Sequence, residues 1–330
     1  MFRMSNCRLL RTGLLFLIFT LSLSAAVTLT RAGDRIHIDI DGQPFSDFYF
    51  GPDAPKPYLY PLRSSGGKIV TRRFPMEKVE GENTTSDQHH RSLWLGFSSI
   101  NGYDYWANEF SYKNPKAGKA VTRSVDQVSS GDRAGTFRAT IAWLAPSGDP
   151  ILEERRLTTI SVDGPLRIID VTIDLQAIVK CTFGDSKDGA FSVRVAESMS
   201  ERKGGLLTNS EGGRGMAQTW GKPARWVDYS GEVEGEKVGI ALFEHPSSFH
   251  HPSRWHVRDY GLLAVNPFGA QAFDKSLPVQ NSVLDAGRSL HLQYASSFML
   301  RCRNLRSKLS TRSLPAAKWC FPARKVDADS

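Results

Sequence analysis

The sequence predicts an all-β protein built as one large antiparallel β-sandwich. Three observations carry this reading. Short runs that alternate apolar and polar residues recur along the chain, bounded by Gly, Asp, Asn, Ser and Pro. No window keeps apolar residues at i, i+3, i+4 and i+7 through three turns. Many strands at short spacing, with no helices between them, fit a sandwich or barrel rather than a βαβ sheet.

The elements follow in order. Residues 35–40 alternate, and so do residues 136–144 (TFRATIAWL). In residues 166–175 (LRIIDVTIDL), Arg167, Ile169, Val171, Ile173 and Leu175 share one face, with Asp170, Thr172 and Asp174 opposite. Residues 191–197, 238–245, 261–265 and 290–299 read the same way. No internal repeat is visible.

Both ends differ from this body. Arg3, Arg8 and Arg11 precede an apolar run over residues 14–29, which is the pattern of a signal peptide with a cut after Ala26 or Ala32. The run is shorter than the ~20 residues that cross a bilayer, so removal fits better than a retained anchor, and no later stretch could span a membrane. Residues 1–32 are therefore read as signal peptide, 33–302 as the β-sandwich domain and 303–330 as a basic, mobile tail. The formal charge of +8 sits in those ends. Taking away the four basic groups of residues 1–32 and the net +6 of residues 301–330 leaves −2 on residues 33–300. A near-neutral body argues against nucleic-acid binding. An exported chain permits disulfides: Cys302–Cys320 would close a short loop and leave Cys181 as a buried thiol.

Six of the eight histidines fall in two segments. The first runs from Asp87-Gln88-His89-His90-Arg91-Ser92-Leu93-Trp94 on to Tyr105-Trp106. The second holds His245, His250 and His251, then Arg254-Trp255-His256-Val257-Arg258-Asp259-Tyr260. Imidazole titrates near neutrality, guanidinium grips oxygens, and indole offers a flat wall to a sugar's C–H face. The combination predicts a site for a small polar or carbohydrate ligand. On an extended strand, Arg254, His256 and Arg258 share a face, and in the first segment His89 and Arg91 face away from His90. His89 and His256 are thus the candidate acid–base residues. Glu197 is their candidate partner base if it lies buried on the row of Phe191, Val193 and Val195; the alternative is a carboxylate at a strand end. Arg91, Trp94, His90, His251, Arg258, Asp259 and Tyr260 complete the candidate binding set, while Arg194 is expected in solvent.

The other motifs are weaker. Gly212-Gly213-Arg214-Gly215 lacks the setting of a nucleotide fingerprint and reads as close packing or a pocket loop. Asn83-Thr84-Thr85 fits a glycosylation sequon within a polar loop. No cofactor is predicted and no residue is assigned to a metal, although two or three imidazoles with a carboxylate leave a divalent ion open.

On DQHHRSLWLGFSSINGYDYW, DGAFSVRVAES, EGGRGMAQTWGKPARWVDYSG, GIALFEHPSSFHHPSRWHVRDYGLLAVNPFG and HLQYASSF, the chain resembles a bacterial family of exported β proteins of unknown function, often labelled the methane oxygenase PmoA family. Methane oxidation by such a membrane subunit needs several transmembrane helices, so that activity is rejected. Where the family reads His-Pro-His-His-Arg, this chain has Asp87-Gln88-His89-His90-Arg91, without the first imidazole. The resemblance implies a fold similar to the supersandwich of galactose mutarotase-like proteins, which work on sugars with histidines and carboxylates. Three functions compete: a carbohydrate-active enzyme of lyase, hydrolase or epimerase type, a carbohydrate-binding or cell-surface protein, and a metal-dependent enzyme.

Overall fold

The computed structural model describes residues 26–300. Residues 1–25 of the expected leader, the expected tail at 303–330, Cys302 and Cys320 lie outside the described residues. In chain order the strands are β1 (Val27–Ala32), β2 (Arg35–Ile40), β3 (Gln43–Tyr49), β4 (Tyr58–Tyr60), β5 (Leu93–Phe97) and β6 (Lys119–Ser129). They continue as β7 (Ala134–Leu144), β8 (Pro150–Asp163), β9 (Leu166–Ala177), β10 (Cys181–Phe183), β11 (Gly189–Arg194) and β12 (Leu206–Asn209). The last are β13 (Trp226–Val233), β14 (Glu236–Glu244), β15 (Arg254–Val257), β16 (Leu262–Asn266), β17 (Ser282–Leu284) and β18 (Ser289–Leu300).

Two eight-stranded sheets form the sandwich. The first has the order β1-β2-β3-β4-β5-β11-β16-β15 and the second β12-β13-β14-β18-β9-β8-β7-β6, while β10 and β17 make a small separate ribbon. The predicted alternation explains how they meet. In β7, Phe137, Ala139, Ile141 and Trp143 turn inward, and in β9, Ile169, Val171, Ile173 and Leu175 do the same. They pack against Leu93, Leu95, Phe97, Phe191, Val193 and Val265 of the first sheet in one shared core. Phe191 stacks on Tyr294 across the gap at 5.2 Å, and Phe97 meets Trp143 at 5.1 Å. The antiparallel sandwich is therefore as expected.

The second sheet carries one polar surprise in this core. Glu154 of β8 is fully buried, accepts Trp143 Nε1–H at 2.9 Å and pairs with the buried Arg156 at 2.6 Å. The sequence hides the pair because Glu153-Glu154-Arg155-Arg156 puts one charge of each sign on either face. Cys181 is a free buried thiol, as expected, and burial pushes it up to about 11.

The first sheet is covered on both faces. β5, β11 and β16 are buried at every residue. Their outward positions lie under Tyr58, Tyr60 and Trp106, which form a second apolar cluster with Trp94, Leu262 and Ala264. That outer layer holds the candidate site.

β1 carries the first sheet N-terminal of the boundary expected at residue 33. Val27–Ala32 pairs with β2 along its whole length, from Val27↔Ile40 to Ala32↔Arg35, and Val27 also bridges Gly131. A cut after Ala32 would strip the sheet of its edge strand, whereas a cut after Ala26 leaves it whole. Mass spectrometry of the protein recovered from its native host is expected to find an N terminus no later than Val27. Arg156→Ala, which strands Glu154 as an unpaired buried charge, is expected to lower stability by about 3–5 kcal/mol in urea unfolding. A loss under 1 kcal/mol would show that the pair contributes little.

Candidate functional site

The site is built on one row of side chains across the outer face of the first sheet. The registers Tyr58↔Trp94, Trp94↔Ser192, Ser192↔Ala264 and Ala264↔His256 set these five residues side by side. Small Ser192 and Ala264 leave room between the larger Trp94 and His256. Trp106 fills it from a loop, with its ring 5.4 Å from Trp94 and 6.4 Å from His256. That loop is tied by Asp104, which accepts the backbone N–H groups of Trp106 and Ala107 at 2.8 and 2.9 Å.

The first histidine segment is a loop, not a strand. Asp87 and Ser92 both take positive φ, 53° and 57°, and these turns fold the chain back on itself. The expected opposition of His89 and His90 is thereby corrected. The two rings lie together at 4.2 Å, and both are buried. His90 stacks on Trp94 at 5.2 Å, while His89 Nδ1 lies 3.1 Å from Tyr112 Oη, which accepts Gln88 N–H. Arg72, with no solvent exposure, holds this loop by donating to the carbonyls of Phe74, Ser86 and Asp87.

Two guanidinium groups fix the imidazoles. Arg194 Nη1 donates to His90 Nδ1 at 3.2 Å, and Arg258 Nε donates to His256 Nε2 at 3.0 Å. A guanidinium only donates, so the nitrogen it meets must carry a lone pair. His90 is therefore the Nε2–H tautomer, and His256 the Nδ1–H tautomer, with Nδ1 3.3 Å from Asp188 Oδ1. Electrostatics agree. Burial, reinforced by Lys56, Arg72 and Arg194, pushes His89 down to about 2. Burial, with Arg258 and Lys187, pushes His256 down to about 3, and burial beside His89 and Arg194 holds His90 well below the ordinary histidine value. The three imidazoles are neutral near pH 7.

The cations behind them are buried too. Lys56 Nζ donates to Trp106 O and Asn108 Oδ1 at 2.6 and 2.7 Å, and burial pulls it down to about 7. Arg194 is expected in solvent but is only 3% exposed, with its guanidinium 4.3 Å from the Tyr260 ring. Burial, with Arg72 nearby, pushes Arg194 down to about 10. Strand parity does place it opposite the core, as the alternation of β11 requires. Loops then cover that face, which parity cannot foresee.

Several other expected site residues go elsewhere. Arg91 grips the buried Glu109 with two bonds of 2.8 and 2.7 Å, so it braces the site rather than waiting for a ligand. Glu197 opens a short 3-10 turn, accepts Asn83 N–H at 2.8 Å and lines a separate cleft of ≈ 650 Å³ with Lys203, Ser230, Glu232 and Lys237. It acts on Arg72 and Arg194 only as one of the weaker charges through space. His251 pairs with the fully buried Glu244 of β14 at 3.0 Å. Asp259 pairs with Arg202 at 2.8 Å. His89, His90, Trp94, His256, Arg258 and Tyr260 do come together, joined by Arg72, Lys56, Trp106, Tyr112 and Arg194. Trp106 had a visible signal, since it closes the first segment; Lys56 and Arg72 had none.

A divalent ion fits this arrangement poorly. Asp87, His89 and His90 bring ligand atoms within 4.8 Å of one another. Binding through His90 Nε2 would put a proton on Nδ1 facing Arg194, and Asp87 already lies 3.7 Å from the same guanidinium. The cations that depress the imidazoles would also repel a dication.

Fold and site together define an all-β antiparallel sandwich with a buried, cation-rich histidine site on the outer face of one sheet. The chain belongs to DUF6807, a family of unknown function, which it matches over residues 35–299. That description carries no methane-oxygenase designation. No curated protein matches the chain. Among solved structures it is similar to the GH36 α-galactosidase AgaB from Geobacillus stearothermophilus, at 10% identity and a TM-score of 0.43, over 83% of this chain and 41% of that one. It is similar to an α-galactosidase from Lactobacillus brevis at 9% identity and a TM-score of 0.41, over 83% of this chain and 39% of that one. A galactose mutarotase related enzyme from Lactobacillus acidophilus matches at 8% identity and a TM-score of 0.30, over 84% of this chain and all of that one. The chain thus spans about two fifths of the length of the galactosidases.

The depressed imidazoles have a signed consequence. In the unfolded chain each histidine takes a proton near pH 6.5, while in the fold His256 does so only near 3 and His89 near 2. Stability from neutral histidines is complete above pH 6.5 and is lost as pH falls below it. Urea midpoints are expected to fall between pH 6.5 and 4, and His256→Gln, whose amide oxygen still accepts from Arg258, is expected to flatten that fall. An equal slope in the variant would place the titration elsewhere.

Proposed function

We propose that the chain is an exported protein that binds a sugar or sugar derivative at the His89, His90 and His256 site. The observation that carries this reading is the pairing of aromatic rings with polar and cationic groups beside the histidine cluster. The partly exposed Trp220 and Tyr260 offer ring surface and the partly exposed Arg258 and Tyr260 polar groups, while His90, Trp94 and Trp106 are buried against one another. Sugars present just such alternating C–H faces and hydroxyl oxygens. The leader over residues 1–26 supports export, and among the described residues no helix is long and apolar enough to cross a membrane.

Binding is favoured over turnover because His90 Nδ1 and His256 Nε2 are already acceptors of arginine protons. Neither is then a free base. Glu197, the expected partner carboxylate, belongs to another cleft. One observation keeps acid–base chemistry as a second reading: His89 is braced at Nδ1 by Tyr112, which leaves Nε2 as its working nitrogen.

Calorimetric titration of the purified protein against a panel of neutral and acidic oligosaccharides tests both. Wild type is expected to bind at least one member, and His89→Ala to bind it at least tenfold more weakly with an unchanged melting temperature. Product formation that disappears in His89→Ala would move the assignment from binding protein to enzyme. No binding by wild type to any member would remove the carbohydrate reading.

A further inference from the structure

The site's charges say more about its ligand than its shape does. Around the imidazoles stand Lys56, Arg72, Arg91, Lys187, Arg194 and Arg258. The facing carboxylates are Asp87, Asp188, Glu109, Glu82 and Glu197, with Asp104 behind Lys56. Three of these carboxylates are already paired: Glu109 with Arg91, Asp188 with Lys187 at 2.8 Å, and Asp87 with Arg194 at 3.7 Å. Among the described residues Arg258 makes no ion pair with any of them, and an unmatched, partly buried charge is costly.

The uncommitted hydrogen-bonding groups point the same way, since they are donors. Trp94 Nε1 and Arg194 Nε are buried without a hydrogen-bond partner. Arg258 uses only Nε, toward His256, and its guanidinium lies 5.9 Å from the Trp220 ring, whose own Nε1 is buried without a partner. The two terminal nitrogens of Arg258 make no hydrogen bond among the described residues. A partly buried guanidinium with both terminal nitrogens unbonded is the fork that takes two oxygens of one anion.

We infer that the ligand bound here carries an oxyanion, a carboxylate or a sulfate ester on the sugar, received by the terminal nitrogens of Arg258. The inference rests on the carbohydrate reading and adds a charge requirement to it. Arg258 thereby does two things at once: it fixes the tautomer of His256 through Nε and holds the ligand through its other end. Tyr260 lies in the same neighbourhood, within the fields of Arg194, Arg258, Asp87 and Asp188. It supplies a ring beside the charged group.

Titration calorimetry with three probes decides the matter: tri-galacturonate, its methyl ester, and a sulfated galactan oligosaccharide, each at 20 mM and 200 mM salt. Tri-galacturonate or the sulfated probe is expected to bind at least tenfold more tightly than the ester, with affinity falling as salt rises. Which of the two wins separates carboxylate from sulfate ester. Arg258→Gln is expected to erase the preference for the charged probe, while Arg258→Lys, which keeps the charge and loses the fork, retains part of it. Circular dichroism and the melting temperature of both variants establish that they fold. Equal binding of ester and acid would overturn the charge requirement and leave the carbohydrate reading standing. Binding of none of the three, while a neutral glycan binds, would do the same. Binding of inorganic sulfate alone, with no sugar probe bound, would overturn both.

Discussion

Two-sided burial of the first sheet is the constraint from which the site follows. An antiparallel sheet in a sandwich ordinarily gives one face to the core and one to water. Here β5, β11 and β16 give both faces to protein. Every polar group that alternation sends outward from these strands must then find a partner beneath the covering loops. Ser192, Arg194 and Asn266 are in that position, as is His256 of the neighbouring β15, each at 3% exposure or less. Most of the hydrogen bonding around the site answers this requirement. Arg72 ties down the loop over residues 86–87, Arg91 and Glu109 pair beside Tyr58, and Lys56 is held by a carbonyl and an amide.

The same burial decides the protonation states. Desolvation opposes the charged form of any acid or base, and the surrounding cations add to it for histidine. Guanidinium resists this longest because its charge is delocalised and its intrinsic basicity is high, so the arginines stay charged while the imidazoles give up their protons. The result is an unequal division of labour. Arginines carry the charge, and histidines act as neutral, oriented dipoles beside them. A metal centre would need the reverse, with carboxylates feeding basic imidazoles.

The fold was largely legible in the sequence because it depends on a period of two, which reads directly from residues such as Phe137, Ala139, Ile141 and Trp143. The same parity correctly set His256 apart from Trp255 and Val257. Parity failed at His89 and His90, where positive φ at Asp87 and Ser92 replaces extended backbone with turns. It misled differently at Arg194, whose face was right but whose surroundings are supplied by loops distant in sequence. Glu197 shows a third limit: the alternating row ends at Val195, where a 3-10 turn begins two residues on. Arg91 and His251 were recognised as chemically capable residues. Their partners, Glu109 and Glu244, lie 18 and 7 residues away, and no local pattern pairs them.

The arginine-to-imidazole bonds carry a consequence for recognition. Histidines that meet a carboxylate can switch between one donor and two when the medium acidifies, which is how many proteins sense pH. His90 and His256 each meet a guanidinium at one nitrogen, so acquiring a second proton there would set cation against cation, although His256 has Asp188 3.3 Å from its other nitrogen. The pattern of donors and acceptors shown to a ligand is therefore constant in any medium in which the sandwich itself persists. With the export proposed above, these two imidazoles would show a ligand the same groups as the pH of its surroundings changes.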